Sequence, residues 1–251
     1  MNINEIFYSI QGEGVSTGIP SVFLRLASCN LSCVWCDTKY TWLFTDPLKT
    51  IVEKKARKLG VKVPDDVKVY SIKDESISMD IKDVLKEIQK FPCKRIVLTG
   101  GEPTLQHQDK DLLNLLKFLK AKGYYIEIET NCTILPNNDF VSCIAQWNIS
   151  PKIGSSGNEN ERENSECYRF YNSLENSWFK FVIVTQEDLE EVENLIKKYK
   201  IQNEKVLLMP EASSKSELQE KSLWLIDACK EKGFRFSNRL HIAIWGKERG
   251  I

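Results

Sequence analysis

The chain has 251 residues, 42% of them hydrophobic and 28% charged, a composition typical of a globular protein with one core. Lysine plus arginine and aspartate plus glutamate are equal at 35 each, and this balance argues against an extended phosphate-binding surface and a nucleic-acid partner. No apolar run approaches membrane-spanning length, and no basic-then-apolar signal segment opens the sequence, so we expect no membrane partner and a cytoplasmic location. In that reducing setting, eight cysteines favour free thiols or metal ligands over disulfides.

Short apolar segments alternate with amphipathic helical segments along most of the chain. The first strand is predicted at 3–10, and the turn Gln11-Gly12-Glu13-Gly14 separates it from a second strand at 22–27. From residue 81 onward the alternation becomes regular. It predicts helices at 81–88, 112–119, 140–144, 168–174, 189–199 and 218–229, and strands at 94–98, 124–128, 146–149, 178–184, 206–209 and 240–245.

This alternation is typical of a parallel sheet with right-handed crossovers. About six units precede the last strand, so we predict an α/β fold, an open partial (β/α) barrel with its active site at the C-terminal ends of the strands. We predict one domain over 1–251, with an insertion at about 46–76 that covers the loop after the second strand. Within it, a helix is predicted at 50–59 and a hairpin at 61–72. The polar segment 155–166 is predicted to be a mobile surface loop.

Three cysteines, Cys29, Cys33 and Cys36, follow the second strand at spacings of four and three. Thiolates this close together can converge on one soft metal centre, either zinc or an iron–sulfur cluster. A closed zinc site needs a fourth ligand, which would be one of the scattered cysteines, His107 or His241 brought in by the fold. A cubane cluster held by three thiolates instead keeps one iron open to an external ligand. The cysteine spacing leaves both metals possible.

Unusual polar sequences follow three further predicted strands. They are Thr99-Gly100-Gly101-Glu102, Glu129-Thr130-Asn131 and Ser150-Pro151-Lys152. Because the C-terminal ends of parallel strands share one face, we expect these groups to converge with the cysteine loop. Any one of them could be a turn or capping sequence, but these three together with the cysteine loop indicate a site. The two glycines would let backbone carbonyls approach an ammonium group, with the Glu102 carboxylate nearby.

The cysteine loop resembles the CxxxCxΦC loop of the radical S-adenosylmethionine (SAM) enzymes, with Trp35 at the aromatic or apolar position Φ. Thr99-Gly100-Gly101-Glu102-Pro103 is similar to the GGEP motif of that superfamily. The resemblance implies that Cys29, Cys33 and Cys36 hold a [4Fe–4S] cluster and that SAM is a cofactor. It also implies the SAM contacts: the amino group at Thr99, Gly100, Gly101 and Glu102, adenine at Trp35, the ribose or methionyl group at Glu129 and Thr130, and the carboxylate and ribose at Ser150 and Lys152.

Within that superfamily, the chain resembles the 7-carboxy-7-deazaguanine synthase family at Gln11-Gly12-Glu13-Gly14, Arg25, Cys36-Asp37-Thr38 and the segment 241–251. That family converts 6-carboxy-5,6,7,8-tetrahydropterin to 7-carboxy-7-deazaguanine with loss of ammonia, on the route to queuosine and related deazapurines. The resemblance implies Mg²⁺ bound by Thr38, a flavodoxin- or ferredoxin-like electron donor, and a homodimer. It implies a substrate site made of Gln11, Gly12, Glu13, Arg25 and His241. It implies no catalytic acid–base pair, because the cluster and SAM carry the radical chemistry.

Two other functions fit parts of the sequence. Another radical SAM enzyme, such as an activase that installs a glycyl radical on a protein, would share the cysteine loop and the GGEP motif. It would not need Glu13, Arg25 and His241 arranged around a pterin. A zinc-binding interaction module would need only the cysteines and a fourth ligand. The sequence also departs from the family at Cys132, where glycine is common, and we expect a small buried residue there.

Overall fold

A computed structural model describes residues 1–251, apart from the side chain of Asn160. The strands are β1 (Asn2–Ile10), β2 (Pro20–Leu26), β3 (Ile77–Ser78), β4 (Arg95–Gly100), β5 (Tyr125–Thr130), β6 (Gln146–Ile149), β7 (Ser177–Ile183), β8 (Val206–Pro210) and β9 (Arg235–Phe236). The helices are α1 (Asp46–Lys58), α2 (Ile72–Glu75), α3 (Ile81–Ile88), α4 (Lys110–Ala121), α5 (Asn138–Cys143), α6 (Ser165–Ser173), α7 (Asp188–Tyr199), α8 (Lys215–Lys232) and α9 (Leu240–Trp245). Within this described chain, no helix is both long and apolar enough to cross a membrane.

One nine-stranded sheet, in the order β3-β1-β2-β4-β5-β6-β7-β8-β9, organises the chain. Strands β2 and β4 to β9 are parallel, whereas β1 runs antiparallel to β2 and β3 antiparallel to β1. Six β/α units lead from β2 to β8, and β3 and β9 lie at opposite ends of the order. The prediction of an open partial (β/α) barrel is therefore confirmed.

Alternate strand residues face opposite sides of the sheet. The outward residues, among them Leu24, Ile96 and Ile128, pack against the helices in one large core. That core takes Val84 and Ile88 from α3. From α4, the buried stripe is Leu112, Leu115, Leu116 and Leu119, at the helical spacing the sequence predicts. The inward face of the same strands carries apolar residues such as Phe23 and Val97 together with the polar residues of the site described below.

Three sequence-based element predictions are wrong. Residues 240–245 form helix α9 and not a strand, because β9 already occupies the free edge of β8. The expected hairpin at 61–72 is an irregular segment with local turns, since Pro64 interrupts the alternating valines and Val67 is the one that is buried. The segment 155–166 is not a free surface loop: it forms two short 3₁₀ turns that bury Ser156 and Asn158 against the cysteine loop.

The segment 46–76 packs over the loop that carries the three cysteines. Its helix α1 begins at Asp46, earlier than predicted, with Pro47 in the first turn, where a missing N–H costs nothing. Val52 and Val67 from this segment join Trp42 and Leu43 in a small second core. Cys29 and Cys36 pack against that core. The segment therefore contacts the cysteine loop, and its predicted status as an insertion within a single domain stays a prediction.

Candidate active site

The cysteine loop leaves the C-terminal end of β2 and presents three free thiols. Each sulfur lies near a donor: Cys29 Sγ accepts from the backbone N–H of Leu31 at 3.4 Å, and Cys36 Sγ from Trp42 Nε1 at 3.4 Å. Cys33 Sγ accepts from the side-chain amide of Asn158 at 3.0 Å. N–H groups directed at sulfur stabilise thiolates and reduced clusters. The loop is therefore suited to anionic, metal-bound sulfur.

Burial keeps the thiols of Cys29 and Cys33 protonated in the absence of a metal. It raises the pKa of Cys29 well above its ordinary value and that of Cys33 to about 11. The charge of Lys152 and the Asn158 hydrogen bond oppose the shift at Cys33 without cancelling it. A bound metal would supply the positive charge that these groups need to ionise, so metal binding here releases protons.

The two glycines after β4 permit close contact between two chain segments. A Cβ atom on Gly100, which has a φ of +139°, would lie 2.1 Å from the carbonyl oxygen of Leu26. One on Gly101 would lie 2.0 Å from the carbonyl oxygen of Ser28 and 3.0 Å from Cys29 Cβ. The backbone N–H of Gly101 donates to Leu26 O at 3.1 Å. In this structure the space is filled by the start of the cysteine loop, so the glycines support that loop directly.

Glu102, whose predicted contact with the SAM amino group stays a prediction, is bound by protein donors in this structure. Its side chain is buried, with the residue 1% exposed, and it accepts four hydrogen bonds from the protein. The Thr104 backbone N–H and hydroxyl donate at 3.0 and 2.6 Å, the Thr130 hydroxyl at 2.7 Å and the Asn131 backbone N–H at 2.6 Å. Burial raises the pKa of this carboxyl, and the hydrogen bonds oppose that shift. Glu102 therefore joins the ends of β4 and β5 in place of presenting a free charge.

The remaining residues predicted to contact SAM lie at neighbouring strand ends. Thr99 Oγ1 donates to Glu129 Oε2 at 2.9 Å, which links β4 to β5. After β6, Lys152 Nζ donates to the carbonyl and hydroxyl oxygens of Ser150, both at 2.8 Å. The same ammonium lies 5.5 Å from the ring centroid of Trp35, which ties the cysteine loop to the end of β6. The expected convergence at the C-terminal ends of the strands is present.

A charged group centred on Glu13 lies beside these strand ends. Glu13 Oε2 pairs with Lys180 Nζ at 2.5 Å, Oε1 pairs with Arg239 Nε at 3.0 Å, and His241 Nε2 lies 3.8 Å from Oε1. Burial opposes ionisation of Glu13, but the charges of Lys180, Arg239 and His241 hold its pKa well below the ordinary value. Burial lowers the pKa of His241, and this favours the neutral imidazole near pH 7. The carboxylate is therefore ionised and fixed in orientation.

Gln11 and Gly12, which precede Glu13, contact strand β5 and His241. Gln11 Nε2 donates to Glu127 Oε1 at 3.0 Å and to Glu129 Oε1 at 3.2 Å, so this predicted substrate residue is bound to inward-facing glutamates of β5. At Gly12 an added Cβ would lie 2.5 Å from His241 Nδ1. The imidazole can therefore approach the main chain only because residue 12 is glycine.

Arg25 faces the N-terminal strand in this structure. Its Nε pairs with Glu5 Oε2 at 2.9 Å across the β1–β2 ladder, and its guanidinium lies 5.7 Å from the ring centroid of Phe7. It is not among the residues paired with Glu13. The prediction that Arg25 contacts a substrate carboxylate remains a prediction, and Glu5 would have to share the guanidinium with that carboxylate.

Asp37 and Thr38 follow the last cysteine and border the Glu13 group. The carboxylates of Glu13 and Asp37 and the imidazole of His241 offer ligand atoms within 4.8 Å of one another. Arg239 Nη2 pairs with Asp37 Oδ2, so the guanidinium bridges the two carboxylates. With Lys180 also present, the cations already balance the acids, and the group offers little net negative charge to a metal. Thr38 Oγ1 lies 3.6 Å from Cys36 Sγ.

Sequence and structure comparisons assign the chain to a family. A radical SAM superfamily model matches residues 25–140. A 7-carboxy-7-deazaguanine synthase from Pyrobaculum aerophilum is 33% identical over 251 residues, covering 100% of this chain and 97% of the relative. The chain belongs to the 7-carboxy-7-deazaguanine synthase family. A second synthase, from Halobacterium salinarum, is 31% identical, and the match covers 97% of this chain and 90% of that relative. The crystal structure of QueE from Escherichia coli matches with a TM-score of 0.66 at 26% identity, covering 96% and 94% of the two chains.

Members of this synthase family are radical SAM lyases, and the radical SAM superfamily works with a [4Fe–4S] cluster and SAM. The donor set here fits that pair of cofactors: three thiols lie on one loop with an N–H group directed at each sulfur, and the loop contacts Gly100 and Gly101 after β4. The matches do not favour the glycyl-radical activase or the zinc module. The family assignment therefore rests on the whole chain and on a matching thiol site.

Four residues of the site were missed by the sequence-based prediction. Lys180 lies inside a strand that reads as apolar, and Arg239 precedes a segment that was expected to be a strand. Asn158 lies in a loop that was expected to be mobile, and Lys55 in the segment 46–76. The sequence carried a signal for Lys180 only, as a single charge among apolar neighbours in β7. The other three are brought to the site by chain folding at long range.

Proposed function

We propose that this chain is the radical SAM lyase that converts 6-carboxy-5,6,7,8-tetrahydropterin to 7-carboxy-7-deazaguanine with loss of ammonia. The observation that carries the proposal is the bridge of Arg239 between Glu13 and Asp37. The bridge holds the ionised Glu13, in the turn at residues 11–14, beside Asp37 in the loop of the three cysteines. A pterin held by Glu13 would thus lie next to the group that starts the reaction.

In this proposal Cys29, Cys33 and Cys36 hold the cluster, and SAM occupies the strand ends next to it. When bound, these groups supply the radical chemistry, and the protein supplies position and exclusion of water. The residues for SAM are those implied by the family, with Glu102 acting through its neighbours: Trp35, Thr99, Gly100, Gly101, Glu102, Glu129, Thr130, Ser150 and Lys152. The Lys152 ammonium near Ser150 suits a carboxylate, and the Trp35 ring suits adenine.

The substrate would be read by Gln11, Gly12, Glu13, Arg25 and His241. An ionised Glu13 can accept two N–H groups from the guanidine-like edge of the pterin, and its orientation is already set by Lys180 and Arg239. A neutral His241 can donate or accept one further hydrogen bond. Because these residues bind and orient the substrate, none of them has to transfer a proton to start the reaction.

We assign Mg²⁺ to Thr38, with the substrate carboxylate and water as further ligands. Oxygen ligands of this kind suit a hard cation. A one-electron donor of the flavodoxin or ferredoxin type would reduce the cluster, and a homodimer is the expected assembly. The single domain with a covering segment at 46–76 would exclude water from the cluster loop, which the burial of Cys33 supports.

The proposal is tested by anaerobic turnover. The reconstituted protein receives SAM, Mg²⁺, a reductant and 6-carboxytetrahydropterin, and the products are followed by mass spectrometry. We expect 7-carboxy-7-deazaguanine, and we expect its formation to stop in Cys33→Ala and to lose Mg²⁺ dependence in Thr38→Val. Cys143→Ala, which removes a buried thiol remote from the loop, is the matched control. SAM cleavage without the deazaguanine product would overturn the substrate assignment while leaving the cofactors in place.

A further inference from the structure

The buried side chain of Asn158 connects Cys33 to a lysine of the covering segment. Asn158 is 2% exposed, and its Nδ2 donates to Cys33 Sγ at 3.0 Å. Its Oδ1 accepts from Lys55 Nζ at 2.7 Å and from the Ser32 backbone N–H at 3.2 Å. The amide is therefore oriented in one sense, with its N–H group toward sulfur and its carbonyl toward the ammonium.

The local fold holds Lys55 in this place. Its Nζ also donates to Ser32 Oγ at 2.6 Å, so the ammonium is attached both to the cysteine loop and to Asn158. Gly157 has a φ of +77°, and a Cβ atom there would lie 3.1 Å from Lys55 Cβ and 3.1 Å from Val34 Cγ2. Glycine at this position allows α1 and the loop after β6 to approach each other closely enough for the contact.

The hydrogen bond to Cys33 differs from those to the other two sulfurs. It is 3.0 Å long, against 3.4 Å for the N–H donors at Cys29 and Cys36. Its donor group is also polarised by an ammonium on the far side of the amide. A positive charge on the carbonyl side strengthens the N–H group as a donor, since hydrogen bonds in a chain reinforce one another in a low-dielectric site.

We propose that Lys55 and Asn158 act as a pair of positioning residues that raise the reduction potential of the cluster bound by Cys33. The inference rests on the proposed function, because it takes the three cysteines as cluster ligands. One-electron reduction adds a negative charge to the cluster and its thiolates. An N–H donor and a linked cation stabilise the reduced form more than the oxidised form. The segment 46–76 thereby makes the cluster easier to reduce by a one-electron donor.

The test is a redox titration of the reconstituted protein, in which the reduced cluster is measured by electron paramagnetic resonance. At a fixed applied potential we expect Lys55→Met and Asn158→Leu each to lower the ratio of reduced to oxidised cluster about tenfold, which is about 59 mV for one electron. The double variant should shift little further than Asn158→Leu, because Lys55 acts through the amide. Lys55→Arg should restore most of the effect.

Lys58→Met is the matched control. Lys58 lies on the same helix and carries the same charge, but it is largely exposed and pairs with Glu159. We expect it to leave the potential unchanged, since solvent screens its charge. Iron and sulfide content per chain is measured in every variant. A wild-type protein that binds no cluster would overturn the proposed function itself, whereas full clusters with wild-type potentials in Lys55→Met and Asn158→Leu would overturn only the present inference. If Asn158→Leu loses iron, the test rests on Lys55→Met and Lys55→Arg. A lower potential in Lys55→Met than in Lys55→Arg supports the inference, and equal potentials overturn it.

Discussion

Replacement of Glu102 by glutamine separates a structural role of this carboxylate from a role in binding SAM. Glutamine keeps the size of the side chain but replaces one acceptor oxygen by NH₂. With its oxygen at the Oε1 position it keeps the bonds from Thr104 and Thr130 and turns an N–H group toward the N–H of Asn131. One unsatisfied buried donor costs about 1–3 kcal/mol. For a chain of this size that loss lowers the melting temperature by about 2–12 °C.

The assay is thermal unfolding of the cofactor-free protein, followed by circular dichroism. Glu220→Gln, an exposed change on α8, is the control and should alter the unfolding free energy by less than about 0.5 kcal/mol. Glu102→Ala, which frees every donor, should destabilise more than Glu102→Gln. An unchanged melting temperature of Glu102→Gln, together with weaker SAM binding, would refute the reasoning, because the carboxylate would then face the cofactor and not the protein.

Three further predictions follow from the charged group and the glycine turn. Arg239→Met removes the cation between Glu13 and the half-exposed Asp37, and we expect a loss of about 3 kcal/mol in unfolding free energy from urea titrations; a loss near zero would contradict the bridge. The pKa of Glu13 in the folded protein lies well below its unfolded value of 4.5. Its ion pairs therefore stabilise the folded state at pH values above 4.5, and this stabilisation is lost as the pH falls from 4.5 toward the folded pKa. The decrease of unfolding free energy with falling pH should thus be shallower in Glu13→Gln. Equal slopes would count against those pairs. Gly101→Ala places a methyl 2.0 Å from a carbonyl oxygen of the cysteine loop and should lower the iron content after reconstitution. Gly123→Ala meets no atom within 4 Å and strains only its own backbone, which has a φ of +76°, so it should retain the iron.

Strand β5 shows how much of the fold the sequence predicts. The run Tyr125–Thr130 is recognisable as a strand, and its position between two helices places it in a parallel sheet. The sequence analysis describes such strands only as short apolar segments, without assigning their two faces. In the structure Ile126 and Ile128 face the helices, while Glu127 and Glu129 face inward. Whether a charged residue in a strand faces solvent or the inside of a barrel depends on the curvature of the sheet. That curvature cannot be predicted from a single sequence.

The candidate site likewise contains residues that the sequence predicts and residues that it does not. The cysteines, the glycine turn and Glu13 were predictable because each belongs to a short local motif. Their partners were not. Arg239 reaches Glu13 across 226 positions of sequence, and Asn158 reaches Cys33 across 125. Such partners are determined by where strands and loops end in the folded structure, so no short sequence motif predicts them.

The contacts of Arg239 also connect the two ends of the open barrel. Its Nη1 donates to the carbonyl oxygen of Ala212, just after β8, while its other nitrogens reach Glu13 after β1 and Asp37 in the cysteine loop. The next residue, Leu240, donates its backbone N–H to Gly12 O at 2.9 Å. Strands β1 and β8 lie near opposite ends of the sheet order, so these bonds span the gap that the sheet leaves open. Residues 240–245, predicted as the last strand, would have extended the sheet. As helix α9 they lie beside Gly12, next to the Arg239 cation that bridges two carboxylates.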